Sequence, residues 1–206
     1  MKKIVFSALL LLFSFNSFSS HLMGGEITWQ CIKSGSDIGK YIFTMKVYRD
    51  CSGITVSTLT QTIQVWNHPS VVSFQLDFLL NQDVSPICDP INSGNLQLNC
   101  ASGDPGSVEE YIFESQPVQL PGVPPNNGWQ FTWDNCCRNA AISNGLANAG
   151  FTLRAVMYSY TDSLGVVYPN NGCYDSSPKF YEKPRTVLEV GNGYIPFAFS
   201  NGFTYS

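Results

Sequence analysis

Apolar and polar residues alternate with period two along several stretches of the chain. Tyr41, Phe43, Met45 and Val47 fall on one face, with Thr44 and Lys46 on the other. Val72, Phe74, Leu76, Phe78 and Leu80 alternate with Ser73, Gln75 and Asp77. Trp129, Phe131 and Trp133 alternate with Gln130, Thr132 and Asp134, and Phe151, Leu153, Ala155 and Met157 with Thr152, Arg154 and Tyr158. Neighbouring side chains of a strand point to opposite faces, so each pattern predicts a half-buried antiparallel strand. Gly24–Lys33, Leu59–Trp66 and Glu109–Leu120 predict further strands of less definite phase. Turn-rich stretches at Ser34–Gly39, Asn92–Gly94, Pro121–Gly128 and Pro169–Gly172 separate them. No helical period stands out, and Gly145 and Gly150 confine Arg138–Ala149 to one short turn at most. About seven strands in about 140 residues predict an all-β fold, an immunoglobulin-like antiparallel β-sandwich.

The first residues follow a different pattern. Lys2 and Lys3 precede an apolar run from Ile4 to Phe15, and Ser17 and Ser19 occupy −3 and −1 for cleavage before Ser20. A membrane span needs ~20 apolar residues, so residues 1–19 read as a secretory signal peptide rather than an anchor or a buried helix. No later run is long enough to span a bilayer, and the mature chain is expected to have no transmembrane segment. Beyond Tyr160 the sequence turns polar through Ser177, and a fresh run opens at Pro178. The expected organisation is a disulfide-stabilised sandwich over residues 20–177. Residues 178–206 then begin a second β-module or add edge strands to the first, since about 30 residues cannot bury a core of their own.

Composition narrows the class. Charged residues make up 13% of the chain, about half the usual share of roughly 25%, and aromatics 14%. That balance excludes a disordered chain and a charged helical bundle. The net charge is −4, and loss of Lys2 and Lys3 takes it to −6, so nucleic acid is not an expected partner. All seven cysteines lie beyond the expected cleavage point. Export makes disulfides their default state, with buried free thiols the weaker reading. Cys88 and Cys100 bracket a Pro/Asn/Gly-rich stretch that a disulfide would tie down. Adjacent Cys136 and Cys137 are expected to reach different partners, with Cys31 and Cys51 the natural candidates. Cys173 is then the cysteine expected to be unpaired.

Catalytic signatures are sparse. The chain has no G-x-S-x-G, H-E-x-x-H, P-loop or C-x-x-C motif. His21 and His68 are its only histidines, and His68, between Asn67 and Pro69, reads as a turn residue. Were cleavage to fall after Ser20, the amine and imidazole of His21 would suit copper, as in secreted polysaccharide oxygenases. Phe18 would then sit at −3, which disfavours that cut. Asp50, Asp134 and Asp175 are scattered, and the doublet Glu109-Glu110 reads as capping a strand against solvent, so no calcium cluster emerges. No catalytic, cofactor or metal residues are assigned, and the chain is not expected to be an enzyme.

Five segments together carry a resemblance. They are Ser20-His21-Leu22-Met23-Gly24-Gly25-Glu26-Ile27-Thr28-Trp29-Gln30-Cys31, Val47-Tyr48-Arg49-Asp50-Cys51-Ser52-Gly53, Glu109-Glu110-Tyr111-Ile112-Phe113-Glu114, Trp133-Asp134-Asn135-Cys136-Cys137-Arg138-Asn139-Ala140 and Ser176-Ser177-Pro178-Lys179-Phe180. In this order they resemble the N-terminal region of large secreted surface proteins of the Bacteroidota. Those proteins often carry PKD or other immunoglobulin-like modules and end in a gliding-motility-associated or type IX secretion sorting domain. The resemblance implies a secreted, outer-surface location, neighbouring β-modules in a longer chain, and a non-catalytic role in adhesion or architecture. It also favours cleavage before Ser20. Where those proteins have an Asp-Gly-Asp-Ser-like stretch, this chain reads Phe199-Ser200-Asn201-Gly202-Phe203-Thr204-Tyr205, so no calcium site carries over.

The strand ends at Tyr48-Arg49-Asp50-Cys51 and Cys136-Cys137-Arg138-Asn139 are expected to meet at one pole. There Cys51 would bond to Cys136 or Cys137, and Arg49 or Arg138 would pair with Asp50 or Asp134. Such a knot serves either a rigid binding surface or stability alone. The expected ligand is an unidentified surface or glycan, for which exposed aromatics and abundant Asn, Ser and Thr are suited.

Overall fold

The computed structural model describes residues 22–85, 98–104, 106–136, 149–169, 172–173 and 175–179. Nine strands follow in chain order: β1 (Leu22–Cys31), β2 (Tyr41–Asp50), β3 (Gln61–Trp66), β4 (Ser73–Asp83), β5 (Val108–Ser115), β6 (Trp129–Cys136), β7 (Gly150–Met157), β8 (Tyr160–Thr161) and β9 (Val167–Tyr168). The first seven form one antiparallel sheet in the order β1-β2-β5-β4-β3-β6-β7, and β8 and β9 form a separate small hairpin. All seven expected strands are present. The order is that of a constant-type immunoglobulin sandwich, with one difference: the ladder continues through the β3–β4 hairpin, so the two layers are one folded sheet.

The folding over is visible in the core. Phe43 on β2 and Phe131 on β6 lie four places apart in the sheet, yet their ring centroids are 4.7 Å apart. Phe43, Met45 and Val47 from one layer and Trp129 and Phe131 from the other are fully buried. Burying such side chains contributes ~1.5–3 kcal/mol each. The sheet nearly closes on itself where β7 meets β1 at Gly25. A Cβ there would come within 2.8 Å of Leu153 Cδ1 and 2.5 Å of the Lys46 carbonyl oxygen, so glycine is what lets β7 approach.

Two expected strands differ in detail. A register shift between Phe78 and Leu80 breaks the alternation of β4, leaving Leu80 40% exposed, and Val72 falls before the strand and is exposed. The β5 strand stops at Ser115. Pro117, which has no amide to donate, follows it, and only Val118 rejoins the sheet, as a single bridge to Tyr41. The β8–β9 hairpin lies in the stretch read as turn-like.

The disulfide pairing corrects the sequence reading. Cys173 is bonded to Cys31, with Cα atoms 5.4 Å apart, so it is not the unpaired cysteine. Its amide donates to the Gly39 carbonyl at 2.9 Å, which seats it on the β1–β2 hairpin beside the end of β1. Cys100 is bonded to Cys51, not to Cys88, and Cys51 is not joined to Cys136 or Cys137. The cause is topological: β5, not β6, is the neighbour of β2, so the segment leading into β5 crosses the end of β2, and the Cys51 amide donates to the Ser107 carbonyl. Cys136 is also disulfide-bonded, while Cys88 and Cys137 lie outside the described residues. So do His21, Arg138, the expected signal peptide and everything beyond Lys179. The expected boundary at 178 falls inside a strap, residues 175–179, that runs along β1.

Candidate functional site

Ladder register fixes two poles. At the first, β2 ends, β5 begins and β6 ends, so the two expected strand ends do approach the same pole. The polar knot there uses other partners than expected. Arg49 does not pair with an aspartate: its Nη2 lies 2.6 Å from Glu109 Oε2, and Nε donates to the same oxygen at 2.8 Å. Arg49 Nη1 donates to the carbonyls of Asp50, Cys51 and Gly53, and the guanidinium lies 5.9 Å from the Tyr111 ring centroid. The Asp50 carboxylate caps the following turn through the amide and hydroxyl of Ser52, and Arg138, the other arginine expected here, lies outside the described residues. Asp134 accepts from the Thr152 hydroxyl at 2.5 Å.

Glu109 and Glu110 are not a solvent-facing cap. Being consecutive on β5, they point to opposite faces. Glu110 is only 1% exposed. Tyr48 donates to its Oε1 at 3.0 Å, Gln82 Nε2 donates to Oε2, and Lys46 Nζ sits 3.8 Å away. Burial, reinforced by Glu110, pushes the Tyr48 phenol far above its ordinary value. Burial would also raise the Asp83 carboxyl, but the Cys100 amide and the hydroxyl and amide of Ser85 outweigh it and hold Asp83 below its ordinary value. This pole is a braced joint whose polar groups are mostly committed to one another.

The second pole is different in kind. A cleft of about 150 Å³ opens between the end of β1, the end of β7, the β8–β9 hairpin and the strap. Trp29, Tyr41, Tyr158, Tyr160 and Tyr168 supply aromatic surface, and Asp175 supplies a carboxylate. The strap is held by backbone and hydroxyl bonds. The Trp29 amide donates to Ser177 Oγ at 2.8 Å, the Cys31 amide to Ser176 Oγ at 3.0 Å, and the Ser177 amide to the Trp29 carbonyl at 2.9 Å. The Ser176 amide fixes Asp175 Oδ1 at 2.7 Å. Around the mouth, Tyr158 is 61% and Tyr160 50% exposed, and Leu164, Val166 and Val167 of the adjoining hairpin are exposed too.

His68 sits in the β3–β4 turn, as expected. Its Nδ1 accepts from the amides of Ser70 and Val71, and its ring packs 4.5 Å from Trp129. Nε2 is buried without a hydrogen-bond partner. Burial lowers the pKa, and the nearby Pro121 backbone offsets this only in part. Among the described residues no three His, Cys, Asp or Glu side chains are placed to hold a metal ion. No helix among them is long and apolar enough to cross a membrane.

No family model, curated protein or solved structure matches this chain. What stands is the class: an all-β, disulfide-bonded sandwich of a kind that fits a non-cytoplasmic compartment. Sequence reasoning missed the cleft because its walls come from residues 29, 41, 157, 158, 160, 168, 169 and 175–178, which no motif or spacing joins. The sole local signal was the aromatic density around Tyr158 and Tyr160.

Proposed function

We propose that this chain is a non-catalytic extracellular module, secreted and displayed at the outer cell surface, with a structural or adhesive role in a larger surface protein. One observation carries the reading: an exposed aromatic and aliphatic pole, including Tyr158, Tyr160 and Leu164, mounted on a frame tied by Cys31–Cys173. Exposed apolar groups gathered in one place mark interaction surfaces. The ordered motifs shared with Bacteroidota surface proteins support the location, and the disulfides agree with it.

The test has two arms. Protease added to intact cells of the source organism is expected to cleave the chain; protection until the cells are lysed overturns surface display. Beads coated with residues 20–206 are expected to be retained on cell-envelope preparations more than beads coated with an unrelated disulfide-bonded sandwich. Equal retention overturns the adhesive role.

A glycan-binding module is the second reading, favoured by the aromatic cleft and the Asp175 carboxylate on its wall.

A further inference from the structure

The cleft at the second pole is small and half open, and it combines aromatic surface with a carboxylate. A space of roughly 150 Å³ holds one six-membered ring. Among the described residues the lining includes one carboxylate, Asp175, and no Lys, Arg or His, a balance that disfavours an anionic ligand. A purely apolar ligand would strip water from Asp175 and return no hydrogen bond. A ring with an apolar face and a hydroxylated rim satisfies both demands, since its C–H face lies on aromatic surface and its hydroxyls donate to the carboxylate. A quaternary ammonium would also suit aromatic rings and a carboxylate, but its recognition calls for a cage of ring faces around the cation. Here Tyr158 and Tyr160, 61% and 50% exposed, flank an open mouth.

The site is also pre-formed. A Cβ at Gly128 would lie 3.3 Å from Tyr158 Cδ1, so the Tyr158 ring rests against bare backbone. Asp175 is fixed through the Ser176 amide, and the strap carrying it through Ser176, Ser177 and the Cys31–Cys173 bond. Binding therefore spends little on ordering the protein.

We propose that this cleft binds one pyranose ring of a neutral glycan, stacked on Tyr158 and Tyr160 with hydroxyls donating to Asp175. This inference rests on the binding-module reading and names its ligand class.

The test uses the full mature chain with its disulfides intact. It is screened on an array of neutral oligosaccharides, and hits are titrated calorimetrically beside tetramethylammonium chloride. At least one neutral glycan is expected to bind. Tyr158→Ala and Tyr160→Ala should each weaken it about twofold to tenfold, the worth of one aromatic contact. Asp175→Asn should weaken it further. Tyr158→Phe, which keeps the ring, should retain binding, as should Trp66→Ala, an exposed aromatic outside the cleft. Matched unfolding midpoints establish that each variant is folded. Three results would overturn the proposal: no neutral glycan bound, glycan binding indifferent to the cleft variants, or tetramethylammonium bound in its place. Bead retention separates the two readings. Retention without glycan binding sinks the cleft and leaves the adhesive role, whereas glycan binding without retention does the reverse.

Discussion

His68 and Arg49 illustrate how far a single residue's role is set by the neighbours the fold gives it. Burial opposes the charged form of the His68 ring and outweighs the Pro121 backbone, and the two amides donating to Nδ1 keep that nitrogen an acceptor. The folded-state pKa is therefore lowered below 6.5, and the unfolded chain binds the proton more readily. Stability should be fully present above that range and fall as pH drops through it. Urea midpoints measured from pH 8 to pH 5 should decline in the native chain, and His68→Gln should flatten that slope. Arg49 is the residue-scale brace. With side chains only 8% and 13% exposed, Arg49 and Glu109 form a largely desolvated pair. Arg49→Met leaves the Glu109 charge without its cation, with Asn81 Nδ2 still donating to Oε1, and loss of about 3 kcal/mol in denaturant unfolding is expected. Glu109→Gln in the same background should recover part of it, because the stranded charge is then gone.

At the scale of elements, the edge of β1 shows what sequence patterning can and cannot convey. An open strand edge presents unpaired amides and carbonyls. Here Ser176 and Ser177 cover that edge, and the strap takes the place of a further strand. The β1–β7 approach depends on one glycine. Gly25→Val would drive a side chain into the Lys46 carbonyl and Leu153, with about 1–3 kcal/mol of destabilisation expected from overpacking. A second substitution, Leu153→Ala, should relieve part of the clash, and thermal unfolding of the pair would measure it. Four of the seven main strands were readable in phase because their alternating residues leave a clear period, and the other three were readable only as apolar stretches between turns. The β8–β9 hairpin, with two residues per strand, leaves none. Disulfide partners were misread for a related reason. The Pro/Asn/Gly-rich stretch between them favoured Cys88–Cys100, whereas strand order carried Cys100 to Cys51. Glu110 was misread because its partners Tyr48, Gln82 and Lys46 come from strands that only the ladder brings together.

The whole molecule divides its labour between two poles. One is closed by Arg49–Glu109, the Asp83 cap and Cys51–Cys100. The other carries exposed aromatics and a cleft whose far wall arrives late in the chain. The Cys31–Cys173 bond joins residues 142 apart in sequence. A tether pulling through Leu22 on one side and Lys179 on the other would load β1 and the strap, and beyond them that bond. The bond would carry the load past the strands from β2 to β7, and the sequence between the two cysteines would stay slack. At ~3.4 Å per residue, the withheld length is roughly 480 Å. In single-molecule stretching, the oxidised chain should show no extension step of that size. With reductant the step should appear, and in oxidising buffer Cys31→Ala should release a step shorter by at least roughly 170 Å, the length that Cys51–Cys100 still withholds. A full-length step in the oxidised native chain would contradict the bond. For a module strung along a cell surface, the frame that shapes the cleft would thus also act as a tensile link, keeping its shape while the tether bears force.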